Sequence, residues 1–107
     1  MVMNDEIMQI RNVIVEAIPA ETIYLFGSYA RGTPNENSDY DFYVVIPDGS
    51  MRPLEAAQKA RQSLSKINRR TPVDILADYR SRFEDRRKFN TLERRIAREG
   101  VVLYERT

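Results

Sequence analysis

Two predicted strands flank the loop in FGSYARGTPNENSDYDFYVV, residues 26–45. Asp39 and Asp41 begin the second strand, where two like charges precede an apolar run. Because side chains alternate along a strand, both carboxylates face one side, while Tyr40 and Phe42 face the other side, which should pack beneath helices. Such a pair is stable when it is solvated, paired with a base or bridged by a divalent cation, and Mg²⁺ suits two carboxylates best.

The loop begins with a Gly-Ser step that can hold an anion. Gly27 has no Cβ, so a phosphate can approach its backbone closely. Ser28 offers a hydroxyl and is predicted to cap one helical turn over residues 28–32, whose free N–H groups favour anions. Arg31 adds a positive charge that could clamp phosphate or pair with a nearby acid. The loop therefore predicts a phosphate site next to the acid pair.

A third acid, Asp74, lies in another predicted strand, residues 73–77. Alternation places the apolar residues of this strand on the core face and Asp74 on the opposite face. If the strand neighbours residues 39–46, Asp74 joins the acid pair. Three carboxylates can hold two metal ions about 3.5–4 Å apart, an arrangement used for phosphoryl displacement. Asp74 could also accept the proton of an attacking hydroxyl.

Hydrophobic periodicity and turn residues predict the element order α-β-turn-β-α-β-α-α-β. The predicted strands are 22–26, 39–46, 73–77 and 101–104, and the predicted helices are 4–18, 28–32, 53–67, 82–88 and 91–98. Two capping boxes, Ser81 with Glu84 and Asn90 with Glu93, mark the starts of the last two helices. We expect a single α/β (α+β) domain over residues 1–107, with a small sheet covered by helices mainly on one face.

Composition narrows the possible chemistry. The chain has no cysteine and no histidine, which excludes disulfides, thiolate zinc sites and imidazole bases, so any metal must be a hard cation bound by oxygen. Residues 1–50 carry a net charge of −6 and residues 51–107 a net charge of +7. The basic half could meet an acidic partner or simply reflect Arg-rich surface helices.

The same composition bears on partners and location. Nucleic-acid binding is not predicted, because the basic residues are not interleaved with aromatic ones and the overall net charge is only +1. Acids near the N-terminus argue against a signal peptide, and no apolar run approaches the ~20 residues that span a bilayer. We therefore expect a cytoplasmic protein without membrane contact.

Gly27 and Ser28, then ten residues, then Asp39-x-Asp41 resemble the GS-x10-D-x-D signature of the DNA polymerase β-like nucleotidyltransferase superfamily. GSYARG, SDYDFYVV and the closing EGVVLYE are similar to its minimal nucleotidyltransferase (MNT) branch. The resemblance implies a mixed sheet, ATP as substrate and two Mg²⁺ ions. It implies that Asp39 and Asp41 are metal ligands, that Asp74 is the third carboxylate, and that Gly27 and Ser28 hold the triphosphate.

Minimal members of this kind are typically encoded beside a HEPN-domain toxin and adenylylate one of its tyrosines. The resemblance therefore implies an antitoxin that transfers AMP from ATP to a hydroxyl of a partner HEPN toxin, in a hetero-oligomer. Larger relatives carry a second domain for the acceptor, for which 107 residues leave no room. Two alternatives remain open: an antitoxin that blocks its toxin by contact alone, and a nucleotidyltransferase for a small molecule such as an aminoglycoside.

Overall fold

The computed structural model describes residues 4–107, and its centre is a four-stranded mixed sheet. The strands are β1 (Thr22–Phe26), β2 (Tyr40–Ile46), β3 (Val73–Tyr79) and β4 (Val101–Glu105). Their order across the sheet is β3-β2-β1-β4. β2 and β3 are parallel, whereas β1 is antiparallel to both β2 and β4. The predicted mixed sheet is therefore confirmed.

The helices follow the predicted order along the chain. They are α1 (Asp5–Ala17), α2 (Ser28–Arg31), α3 (Pro53–Ser63), α4 (Arg80–Arg86) and α5 (Leu92–Glu99), and a 3₁₀ turn, Leu64–Lys66, follows α3. Two parallel strands need a crossover connection, and α3 provides it between β2 and β3. Within residues 4–107, no helix is both long enough and apolar enough to cross a membrane.

The larger part of the core lies between α1, α3 and one face of the sheet. Alternate residues of β2 are buried there, namely Tyr40, Phe42, Val44 and Ile46, as the alternation along the strand predicts. Ile75 of β3 joins them. α1 and α3 thus cover this face of the sheet, as the predicted arrangement requires.

A smaller cluster covers part of the opposite face. Tyr43 and Val45 of β2 pack there against Phe83 of α4 and Ile96 of α5. The rings of Tyr43 and Phe83 lie 5.4 Å apart between centroids. Tyr43 is therefore a core residue of this face, and α4 and α5 leave the Asp41 end of β2 uncovered, since Asp41 is only half-buried.

The caps of α4 and α5 differ from the predicted ones. α4 already begins at Arg80, so Ser81 lies inside the helix. Thr91, and not Asn90, caps α5, because its Oγ1 accepts a hydrogen bond from the N–H of Arg94 at 3.2 Å. Both predicted capping boxes are therefore wrong.

Glu93 makes a tertiary contact in place of the predicted cap. Its side chain turns inward, and one carboxylate oxygen accepts a hydrogen bond from the hydroxyl of Tyr43 at 3.0 Å. The other oxygen accepts one from Nε of Arg86, also at 3.0 Å. A buried carboxylate is stable only when it is paired and hydrogen-bonded, and these two donors meet that condition. Glu93 thus holds α5 to β2 and α4.

Candidate active site

Asp41 and Asp74 lie opposite each other on adjacent strands. The parallel register of β2 and β3 pairs Asp41 with Asp74, and paired residues of neighbouring strands point to the same face. Asp39 comes just before β2 and shares this face through the two-residue period. Asp39 and Asp74 are exposed. The structure therefore brings the three predicted carboxylates to one end of one sheet face, while their roles stay predictions.

The electrostatics of Asp41 reflect this arrangement. Burial and the charges of Asp74 and Asp39 raise the pKa of Asp41 above its ordinary value, and the charge of Arg31 partly offsets them. Both causes disfavour the charged form, because the carboxylate loses water and gains like charges nearby. Asp41 thus lies in a region of negative potential that a cation would relieve.

The backbone of Gly27 lies close to the carboxylate of Asp41. Its backbone has φ +77° and ψ −156°, a conformation that is essentially restricted to glycine. A Cβ at this position would also collide with Oδ2 of Asp41. Glycine is therefore required both by the backbone and by the nearness of the carboxylate. Gly27 thus lies directly against Asp41.

Ser28 is the first residue of α2, and the prediction that it caps this helix is wrong. Gly27 occupies the N-cap position and offers no side chain to the helix. The carbonyl oxygen of Ser28 instead accepts hydrogen bonds from the N–H groups of Gly32 and Thr33. The hydroxyl of Ser28 therefore has no capping role beside the acid pair.

Arg31 ends α2 and is exposed. The ion pairs found within residues 4–107 do not include it. Of the two roles that the sequence left open for Arg31, the pairing with a nearby acid is thus not formed in the part of the chain that the structure describes. The role of phosphate clamp stays a prediction.

A cavity of about 140 Å³ opens beside Gly27, between α2 and α5. Its wall includes Gly27, Ala30 and Arg31 on one side and Leu92, Arg95 and Glu99 on the other. Sequence reasoning did not single out Arg95. No local signal could have identified it, because its position depends on how α5 packs against the sheet and α4.

Residues 4–107 contain no group of three or more acidic side chains close enough to hold a metal ion as they stand. Like charges keep apart where no cation screens them. The chemistry nevertheless fits a hard cation, since all three side chains offer carboxylate oxygens, the ligands that Mg²⁺ prefers. The raised pKa of Asp41 points the same way. The predicted two-metal arrangement stays a prediction.

The residues of this site lie within a match to a known protein family. A family model described as "Nucleotidyltransferase domain" matches residues 7–98. That range includes the three acids, the Gly-Ser step and most of α5. A comparison with curated protein sequences found no match.

Several solved structures resemble this chain. A crystal structure of a toxin–antitoxin with AMP-PNP is 26% identical with a TM-score of 0.60, and the match covers 97% of this chain and 76% of that one. A variant of the toxin–antitoxin MntA–HpeT, with two aspartates replaced by glutamates, is 26% identical with a TM-score of 0.58 and covers 92% and 73%. A protein of Sulfolobus solfataricus assigned to the nucleotidyltransferases is 21% identical, with a TM-score of 0.58 over 92% of this chain and 77% of that one, a likeness of fold alone.

Proposed function

Because the chain belongs to the nucleotidyltransferase domain family, we propose that it transfers AMP from ATP to a hydroxyl group of a partner protein in a Mg²⁺-dependent reaction. The single observation that carries the proposal is the strand register that sets Asp74 opposite Asp41, with Gly27 against Asp41 Oδ2. The family match also confirms the resemblance that the Gly-Ser and Asp-x-Asp motifs predict. We propose that residues 1–107 form one domain with this activity.

Each candidate residue has a distinct task in this proposal. Asp39 and Asp41 would hold Mg²⁺ with Asp74 as the third carboxylate, and the metal would supply neutralisation of triphosphate charge and a lower pKa of the attacking hydroxyl. Gly27 lets the phosphates approach the backbone, and the hydroxyl of Ser28 donates a hydrogen bond to them. Both tasks suit a rigid site in which the reacting groups are positioned before reaction.

The proposed reaction is balanced without an oxidant or a reductant. The hydroxyl oxygen of the acceptor forms a bond to the α-phosphorus of ATP, and the bond from that phosphorus to the oxygen of the pyrophosphate breaks. Asp74 accepts the proton of the hydroxyl as general base. The products are an adenylylated acceptor and pyrophosphate.

The proposed acceptor is a toxin, and the proposed biological role is that of its antitoxin. Support comes from two of the similar solved structures, which are toxin–antitoxin structures, one of them with AMP-PNP. We propose a HEPN-domain toxin with a tyrosine as the modified residue. A partner that presents its own hydroxyl would complete a site that is open to solvent at Asp39 and Asp74.

Labelled ATP tests the proposal directly. The chain is incubated with Mg²⁺, the protein encoded by the neighbouring gene and ATP labelled either at the α- or at the γ-phosphate. Nucleotidyl transfer predicts α-label on the partner and no γ-label, with the site identified by peptide mass spectrometry. The Asp39→Asn, Asp41→Asn double variant should lose the label. Asp85→Asn, a change of an exposed acid on α4, should keep it.

A contact-only antitoxin is the second candidate. It is supported by the same similarity to toxin–antitoxin structures, which a partner bound by contact alone would also explain. Co-expression with the toxin distinguishes the two functions. If the Asp39→Asn, Asp41→Asn double variant neutralises the toxin at equal protein level, contact is sufficient and transfer is not the mechanism. Loss of neutralisation with intact toxin binding supports transfer.

A further inference from the structure

The cavity between α2 and α5 is built from two parts of the chain that are distant in sequence. It has a volume of about 140 Å³, and Gly27 forms part of its wall. Leu92 and Ile96 contribute apolar surface, while Arg31 and Arg95 bring guanidinium groups from α2 and α5. The cavity therefore combines an apolar wall with two positive charges next to the acid pair.

Both arginines have hydrogen-bonding capacity to spare. Of the ion pairs within residues 4–107, none involves Arg31 or Arg95, although Glu99 lines the same cavity one helical turn after Arg95. A guanidinium group only donates hydrogen bonds, so its natural ligand is a group that only accepts them. Phosphate is such a group, and arginine binds it in a bidentate manner.

The position and size of the cavity favour the end of a polyphosphate. Gly27 lies against Asp41 and also lines the cavity, so the cavity is adjacent to Asp41. A cavity of about 150 Å³ holds a ligand as large as benzene. The cavity here is therefore large enough for a terminal phosphate.

From these observations we infer that the cavity receives the terminal phosphate of the nucleoside triphosphate and that Arg95 is a positioning residue opposite Arg31. The inference rests on the proposed function, because the α-phosphate is assumed to lie at Asp39 and Asp41. It deepens that function by predicting that the chain binds a triphosphate more tightly than a monophosphate. It also implies that the negative charge of Glu99, which lines the same cavity, weakens phosphate binding.

α5 is well suited to hold Arg95 in place. Two residues before it, Glu93 is hydrogen-bonded to Tyr43 and Arg86, and one residue after it, Ile96 is buried in the smaller cluster. The inward side of α5 is thus fixed to the sheet. Arg95 itself is exposed, so its substitution should leave the fold intact.

Calorimetric titration of the full chain with Mg²⁺ and ATP, AMP or inorganic triphosphate tests the inference. Because a hydrogen bond to a charged group is strong, Arg95→Ala should weaken binding of ATP and of triphosphate by about tenfold or more. AMP should bind the variant and the wild type equally. Arg95→Lys should recover part of the loss, and Glu99→Gln should tighten the binding of ATP. Arg98→Ala removes the same charge from an exposed position of α5 that does not line this cavity, and should have little effect.

Three outcomes would overturn the inference: a wild type that binds no triphosphate, an Arg95→Ala variant with unchanged affinity for ATP, or an equal loss in Arg98→Ala. The labelling experiment tests the proposed function independently of this titration. If triphosphate binding depends on Arg95 but no partner is labelled, the inference stands and the proposed function fails. If the partner is labelled and Arg95→Ala leaves the KM for ATP unchanged, the function stands and the inference fails.

Discussion

Replacing Asp41 by asparagine should stabilise the metal-free protein while it abolishes nucleotidyl transfer. Asp41 has two carboxylate neighbours, Asp74 across the parallel pair and Asp39 on the same face. A pair of like charges on neighbouring strands costs about 0.2–1 kcal/mol. Only the contact of Asp41 with Asp74 is such a pair, so removing the charge of Asp41 should recover up to about 1 kcal/mol from it, less the lost attraction to Arg31. For a domain of this size 1 kcal/mol corresponds to about 4–8 °C in Tm, so we expect a rise of a few degrees.

Thermal unfolding followed by circular dichroism measures this change, first with a chelator and then with Mg²⁺. The wild type should gain stability from Mg²⁺, because the ion removes the repulsion. Asp41→Asn should gain far less. Glu36→Gln removes one negative charge from the exposed loop before β2 and should change stability by at most about 0.5 kcal/mol.

Two results would refute this reasoning. A lower Tm for Asp41→Asn than for the wild type without metal would mean that the ionised carboxylate is stabilised by its surroundings. An equal gain from Mg²⁺ in both proteins would mean that the ion binds elsewhere. Either result would remove the electrostatic argument for the acid pair, whatever the activity of the variant.

Other predictions concern the turn at Gly27 and the buried pair of Glu93 and Tyr43. Gly27→Ala should cost about 3 kcal/mol or more in urea unfolding, since backbone strain of about 1–3 kcal/mol adds to the collision with the neighbouring carboxylate. Gly32→Ala, which shares the positive φ but has nothing within 4 Å, should cost only about 1–2 kcal/mol, and equal costs would contradict the close approach. Burial alone would raise the pKa of Glu93, but hydrogen bonds from its own backbone N–H, from Arg86 and from Tyr43 outweigh burial and hold the pKa below its ordinary value of 4.5. Stability from the ionised form is then present above about pH 4.5 and is lost as the pH falls through the lower folded pKa. Glu93→Gln should therefore be less stable by about 1–3 kcal/mol at neutral pH, and denaturation at several pH values should show the gap narrowing below pH 4.5; a constant gap would argue against the linkage. Tyr43→Phe should cost about 1–2 kcal/mol at neutral pH without affecting AMP binding, and a loss of nucleotide affinity in titration would give Tyr43 a role in the site.

Much of the fold could be predicted from local patterns. The strand TIYLF coincides with β1, and the Asn4 cap starts the first helix through a hydrogen bond from the N–H of Ile7 to its side chain at 2.8 Å. These features depend on residues that are near in sequence, where alternation, capping and turn chemistry act directly. Local reasoning failed at Thr91 and Glu93, because a buried tertiary pairing outweighed the expected cap.

The candidate site was likewise predictable only in part from local sequence. The spacing of Gly27, Ser28, Asp39 and Asp41 already predicted a phosphate site beside an acid pair. The prediction that Asp74 lies next to this pair depended on the order of the strands, which the sequence did not give. The parallel pairing of β2 and β3 made it a neighbour, and side-chain alternation then placed it on the right face.

The sequence by itself determined which residues could form strands, which face the acids share and where the backbone must bend, since each depends on a few consecutive residues. Only the tertiary structure decided that Asp74 meets Asp41, that Glu93 anchors α5 and that Arg95 faces Gly27 across a cavity. These contacts join segments far apart in the chain. Their positions follow from the burial of apolar faces against the sheet, which no local pattern specifies.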